Sequence, residues 1–479
     1  MKQILFIFSI FSSSFLHAVH HHPIVVTIPS RNNVTICTKN LGSVFAQTYD
    51  NYRIIYIDDA SDDGTYEAVC EYITACNKWD RVTLLRNSVR HGQMYNHFVA
   101  GHLCENHEII VNLDGDDWLA PNALDIINRA YQDPNVWMTY GQYREEPHGK
   151  MGHCRRIPQR IHTERAYRYY DWITSHARTY YAGLFKQVPV GYFIQDTSFQ
   201  PSAADLALMF PMLELSGGKI AFIDTVIYHY NCANPNNIFR KNVTQQLRMN
   251  YLCRGREPLK PLTFDPRIPK KDTTLATTAL IIISENNPDA LHKTLESYNA
   301  SGTDSDEMHI VYVASDIDMD YAYHQISEQY PAILIHKVDN NLKETLQNIC
   351  ASTCPYLILA SDTTLFCDTI DCERCIALLE KTHACGFYFD KDNAPSCNDT
   401  MPLIQPLVPL ESEVYVWKFK HAQGLWRVAY TCDGALYRTS DIKSVLKTCS
   451  FNTLDELRYA FVLYGQHNQE DVGLCFNFF

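Results

Sequence analysis

The chain reads as an α/β protein: two tandem Rossmann-like domains, each with a mostly parallel sheet. Three observations predict this. Short buried-strand runs alternate with helical patterns in both halves. Matching segments in the two halves keep an offset of about 250 residues. A proline-rich, basic stretch from Arg254 to Lys271 lacks either apolar period and reads as a linker. The implied division is a signal-peptide-like segment at 1–18, a first domain at 20–255, a linker at 256–271 and a second domain at 272–479.

Composition supports packed domains. The 479 residues are 46% hydrophobic and 20% charged, which excludes bulk disorder. A net charge of −13 excludes nucleic-acid binding by bulk electrostatics. No run of eighteen apolar residues occurs, so an ordinary spanning helix is absent from the sequence. Lys2, the apolar run Ile4–Leu16 and the small residue Ala18 match a signal peptide; the competing reading is a buried strand or interfacial helix. Seventeen cysteines is an odd number, so at least one thiol is unpaired within the chain. Cys372 and Cys375 form a CxxC, which reads as disulfide or buried thiols before it reads as zinc ligands.

The elements follow in order. The run Ile24–Ile28 ends in Pro29 and SRNN; Ala279–Ile283 ends in SENN. A second strand follows at Tyr52–Ile57 and at His309–Val313, and a later one at Glu108–Leu113 and at Tyr356–Ala360. Further along, Ala182–Lys186 matches Gly434–Arg438, and Ala204-Asp205-Leu206 matches Asp455-Glu456-Leu457. The pattern reads as one fold used twice, against convergence of two ordinary α/β domains.

Acidic clusters lie just past predicted strand ends: Asp58 and Asp59, then Asp62 and Asp63, then Asp114, Asp116 and Asp117. Ligands of open α/β sheets bind outside the carboxyl ends of the strands. Alternate carboxylates on a tight turn suit a hard divalent cation, Mn²⁺ or Mg²⁺, and Gly115 permits close backbone approach. The bland alternative is a solvated Asx-turn.

PSRNN, then SVFAQTYDNYRIIYIDDASDDGT, then NLDGDDWLAP resembles the family 2 glycosyltransferases of GT-A fold, in order over residues 24–122 and more loosely to about 240. HGQMYNHFVAG, with Gly92 and Asn96, is similar to that family's glycine-to-asparagine stretch. The resemblance implies roles. Pro29, Arg31 and Asn32 line a nucleoside pocket, with Arg31 where an aromatic residue is common. Asp59 bonds the uracil ring, Asp114 contacts ribose or sugar, and Asp116 ligates the metal. Asn96 and Gly115 complete the donor site. The segment WITSHARTYYAGLFK offers Arg178 to a phosphate or the acceptor. Asp205 is the general base, or else a helix N-cap. His229 is a second metal ligand, or else structural.

The implied activity is a metal-dependent, inverting, hexosyl-type transfer from a nucleoside-diphosphate sugar, UDP-linked, to a glycan, lipid or protein hydroxyl, with peripheral membrane association open. The rivals are a nucleotidyltransferase, which wants a glycine-rich basic loop where SRNNVT stands, and a non-catalytic carbohydrate- or nucleotide-sugar-binding protein. The polar stretch 141–162, with Arg144, Arg155, Arg156 and Arg160, fits an acceptor-side loop or a solvated one. In the second half Asp114, Asp116 and Asp117 become Ser361, Thr363 and Thr364, leaving Asp362 alone; Asp316, Asp318 and Asp320 replace the earlier cluster, and Glu456 stands opposite Asp205. That reads as a degenerate copy, against a second active transferase. The N-terminus points to a secretory or extracytoplasmic location, the alternative being cytoplasmic and membrane-associated. Sequons stand at Asn33, Asn242, Asn299 and Asn398, and a glycan on Asn33 would obstruct the nucleoside pocket.

Overall fold

The computed structural model describes residues 19–195, 198–234, 242–268, 277–339, 341–389, 408–411, 414–419, 430–467 and 472–476. The signal-peptide-like segment 1–18, the linker's end and Asn398 lie outside the described residues.

Ile24–Ser30 is β-branched and apolar and is buried along its whole length, as a strand covered on both faces must be. It pairs in parallel with Tyr52–Asp58 on one side and Ile109–Asn112 on the other. Pro29 falls beyond the last pair with that second neighbour, Thr27 with Asn112, where a missing N–H costs the ladder nothing. Val82–Arg86 closes this edge in parallel. Beyond Ile109–Asn112 the order continues through Arg178–Tyr181, Met138–Glu146, Ile220–Asn231 and Trp118–Leu119. These pairings run antiparallel, antiparallel, parallel and antiparallel. The strands that run parallel to Ile24–Ser30 thus end on one edge, with the Asp114–Asp117 turn leaving the middle of the sheet.

The second half repeats this plan. Its order is Leu334–Lys337, Glu307–Val313, Thr278–Glu285, Tyr356–Ser361, Ala435–Arg438, Gly386–Tyr388, Val472–Phe476 and Val414–Lys418, with Val408–Glu411 added at the edge. The pairing directions are the same from strand to strand. Identical order and direction over seven strands establish a duplicated fold; the eighth comes from a different place in the chain, since Trp118–Leu119 precedes Met138–Glu146 whereas Val414–Lys418 follows Gly386–Tyr388.

One sequence match shifts. Ala182–Phe185 is a helix, whereas Ala435–Arg438 is a strand. The counterpart of Ala435–Arg438 is Arg178–Tyr181, because each is the antiparallel neighbour of the central strand. Similar apolar spacing in adjacent segments hid the difference. Helix Leu454–His467 holds both Asp455 and Glu456 in its first turn, as Ala204–Leu215 holds Asp205.

The described part of the linker is bound to the first half rather than loose. Leu262 N donates to Leu215 O at 2.9 Å and Leu259 N to Glu214 Oε2 at 3.0 Å. Glu214 also accepts two bonds from the buried Arg168, at 2.6 and 2.8 Å. The halves touch through His102 Nε2 and Lys381 O at 3.3 Å and through His383 Nε2 and Lys186 O at 3.0 Å. The sixteen described cysteines are free thiols, most of them buried.

Candidate active site

The acidic turn is built by its neighbours. Asp117 N donates to Asp114 O at 3.0 Å, closing the turn. Asn40, buried on helix Cys37–Phe45, donates to Asp114 O at 3.0 Å and Asp117 O at 2.8 Å. Gly115 lies against the first strand: a Cβ there would meet Ser30 Cβ at 2.5 Å and its Cα at 2.8 Å. No side chain fits this approach.

The three carboxylates have different work. Asp117 is fully buried and accepts from Tyr228 Oη at 2.6 Å and Asn231 N at 2.7 Å. Burial and the nearby Asp116 and Asp114 push its pKa well above the usual carboxylate range. Asp114 accepts from Gln93 Nε2 at 2.8 Å and faces Arg178 Nη2 at 3.3 Å. Burial works to raise its pKa, but Arg178 holds it below the ordinary value. Asp116 accepts from Asn234 Nδ2 at 2.6 Å, and burial lifts it to about 6.

Asp205 enters the same cleft from the first turn of helix Ala204–Leu215. It is not the N-cap: Ala203 holds that position in the left-handed region, at φ +52°, with no side-chain cap bond. Burial raises Asp205, while Arg178 opposes the shift. Arg178 is itself buried; Asp114 and Asp205 hold its charge well above the ordinary arginine range despite the desolvation. One guanidinium thus serves two carboxylates, in a cleft of about 250 Å³.

At the other end Asp59 accepts from Asn87 Nδ2, His91 N and Gly92 N, each at 2.8 Å. Its carboxylate anchors the 87–92 loop, so the base-reading role expected of it must share that carboxylate with three internal donors. Arg31 Nη1 donates to Asp59 O at 2.8 Å and Ala60 O at 2.7 Å, which pins its guanidinium at the rim. Pro29 lines the cleft by position, and Asn96 accepts from Asn87 Nδ2 at 2.8 Å.

Two expected residues stay out. Asn32, at φ +54°, donates to Asp62 Oδ1 at 2.8 Å and turns into the 58–65 loop; Asn33 lines the cleft instead, bonded to Ser30 Oγ at 3.0 Å. His229 stacks on Trp118 at 5.6 Å and bonds Glu146 Oε1 at 2.9 Å. The strand's period of two explains this: Tyr228 and Tyr230 face the site, so His229 faces away.

His176 stands beside the carboxylates instead. Its ring stacks on Tyr228 at 4.6 Å and Tyr230 at 5.2 Å, and its Nδ1 is buried with no partner among the described residues. Burial and Arg178 lower its pKa to about 3, so the imidazole is neutral. Asp114, Asp117 and His176 each offer an atom within 4.8 Å of the others, the one such grouping among the described residues. In sequence His176 lies two residues ahead of Arg178, in the bend that leads into that strand.

Residues 25–189 match the family described as Glycosyl transferase family 2. The uncharacterized protein MT1568 of Mycobacterium tuberculosis is 32% identical over 123 residues, covering 26% of this chain and 37% of that protein. WcaA of Escherichia coli K12, which its name assigns to colanic acid biosynthesis as a glycosyl transferase, is 26% identical over 136 residues, covering 26% of this chain and 47% of its own. The chain thus spans less than half the length of these relatives. Among solved structures, TarS 1–349 of S. aureus in complex with UDP-GlcNAc is 19% identical, covering 44% of this chain and 59% of that one at a TM-score of 0.34. A mannosyltransferase from Pyrobaculum calidifontis in complex with GDP-Man and Mn²⁺ is 19% identical, covering 50% and 66% at a TM-score of 0.36. Residues 25–189, which carry the acidic turn at the carboxyl end of the central strand, are thus similar to glycosyl transferase family 2.

Proposed function

We propose that the chain transfers a sugar from a nucleoside-diphosphate sugar, UDP-linked, to an acceptor hydroxyl, with inversion at the anomeric carbon. The observation that carries this is the convergence of the Asp114–Asp116 turn, Arg178 and Asp205 on one cleft. Asp205 takes the proton of the acceptor hydroxyl. Its raised pKa strengthens it as a base, while Arg178 keeps its charged form accessible. Arg178 also faces the site where negative charge builds on the leaving group. One base acting opposite the leaving group requires no covalent intermediate.

The residues fit a divalent cation, Mn²⁺ or Mg²⁺. His176 is neutral with an unpartnered nitrogen, Asp114 lies beside it, and Asp116 is the carboxylate least spent on internal bonds. Asp117 is taken by Tyr228 and Asn231. A bound cation would neutralise charge on the diphosphate.

Calorimetric titration with UDP, with and without Mn²⁺, tests the donor site. Asp205→Asn should abolish transfer and leave UDP binding intact, because the base acts on the acceptor. Unchanged turnover in that variant would overturn the base assignment. Full activity in excess chelator would overturn the cation. Slow donor hydrolysis without acceptor would separate an enzyme from a binding protein.

A further inference from the structure

Helix Val243–Arg254 has an unusual outer face. Val243, Leu247 and Tyr251 stand one turn apart and are 49%, 65% and 78% exposed. The short turn Tyr167–Tyr169 packs beside this helix and adds Tyr169, 82% exposed. A stripe of four large apolar side chains is thereby left in water. Single exposed hydrophobics need no explanation, but an aligned stripe does.

The charges around the stripe say what covers it. In a chain of net charge −13, this helix carries Arg248 and Arg254 and no acidic residue. Arg254 ties the helix to the turn by donating to Arg168 O and to Tyr170 O at 2.8 Å. Arg155 lies over the ring of Tyr170 at 6.0 Å, and Arg156, Arg160 and Lys260, close to these elements in sequence, are exposed. Glu164, Asp171 and Glu257 are the acidic residues among them, and Asp171 is paired with Arg155 at 2.7 Å. Another exposed pair, Ile317 and Tyr321, has the opposite character: it stands among Asp316, Asp318 and Asp320.

The inner face of the same helix reaches the cleft. Gln246 lines it and accepts from Ala203 N at 3.1 Å, two residues from Asp205. One helix therefore joins an apolar, basic outer surface to the position of the base.

We infer that the face of Val243, Leu247, Tyr251 and Tyr169 docks on an anionic bilayer surface, and that the acceptor hydroxyl belongs to a lipid-linked molecule held in that bilayer. The second clause rests on the glycosyl-transfer reading; the first does not. Apolar side chains entering the headgroup region and arginines facing anionic lipid are the two attractions an interfacial helix uses. Among the described residues no helix is long and apolar enough to cross a membrane.

The test is co-sedimentation of the full chain with vesicles of mixed phosphatidylglycerol and phosphatidylcholine, against phosphatidylcholine alone. Binding should require the anionic lipid, weaken with salt, and fall about tenfold or more in Leu247→Glu/Tyr251→Glu. Ile317→Glu/Tyr321→Glu should bind as the parent does. Thermal melting and UDP titration of both variants exclude misfolding, and both should match the parent. Absence of vesicle binding, or binding indifferent to the helix variant, overturns the inference, including the case in which the stripe serves a protein partner. Vesicle binding without UDP binding would sustain the docking surface while removing the transferase reading.

Discussion

At the scale of single residues the site depends on close approaches and committed donors. Gly115 is the clearest case. An added Cβ would meet Ser30 at 2.5 Å with backbone behind it at 2.8 Å, so the turn must move. Gly115→Ala should lose UDP binding and cost about 1–3 kcal/mol of stability, measured by titration and denaturant unfolding. The carboxylates of the turn were readable as a group from Asp114-Gly115-Asp116-Asp117, because that spacing is local. Their division of labour was not. Asp117 is spent on Tyr228 and Asn231, residues more than a hundred positions away. Nothing near Asp117 in sequence announces those partners. The same holds for the histidine: the sequence offered His229, but strand facing turns it away, and packing brings His176 beside the carboxylates instead.

At the scale of elements, the helix Ala204–Leu215 carries Asp205 and is buried along nearly its whole length. Its anchor is the Arg168–Glu214 pair, with side chains 2% and 0% exposed. Removing one member leaves a buried charge uncompensated. Glu214→Gln should therefore cost about 3–5 kcal/mol in denaturant unfolding, and should loosen the linker bonded to the same carboxylate. A second element effect concerns acid. His97, on helix Gln93–His102, is 3% exposed, and neither ring nitrogen has a partner among the described residues. Burial lowers its pKa from 6.5 to about 4. The unfolded chain binds this proton first as pH falls. The stability contribution is complete above pH 6.5 and is lost on acidification toward about pH 4, by at most roughly 3 kcal/mol. His97→Leu should flatten that acid slope in unfolding experiments run at a series of pH values.

At the scale of the whole molecule the duplication has one intact cleft. The hydrogen-bond register confirms the sequence alignment here: Thr364 N to Ser361 O repeats Asp117 N to Asp114 O, which sets Asp362 at the place of Gly115. Asp362 then lies where the first half allows no side chain. It accepts from Ser284 Oγ at 2.8 Å, and Ser284 is the counterpart of Ser30. Two residues ahead of the matching strand, Asp433 stands for His176 and is paired with Arg458 at 3.0 Å. A carboxylate fills the space and an ion pair stands in place of the imidazole, which agrees with the proposal of one donor site per chain. UDP titration of the intact chain should give one site. Asp362→Ala should leave transfer unchanged, and Asp116→Ala should remove it. A second site surviving Asp116→Ala would show the second half to be an enzyme.

The sequence by itself determined the fold class, the duplication and the position of the acidic turn. These rest on short-range signals: strand runs, helical periods, and an Asp-Gly-Asp turn after a strand. It also determined the register that leaves Asp362 alone. Only the tertiary structure decided which histidine joins the carboxylates and that Asp59 holds a loop. It decided too that Arg178 stands between Asp114 and Asp205, and that the linker is strapped to the first half. Each of these is a contact between segments far apart in the chain. Side chains buried between such segments have their partners, charge states and facing chosen by packing, which no local pattern encodes.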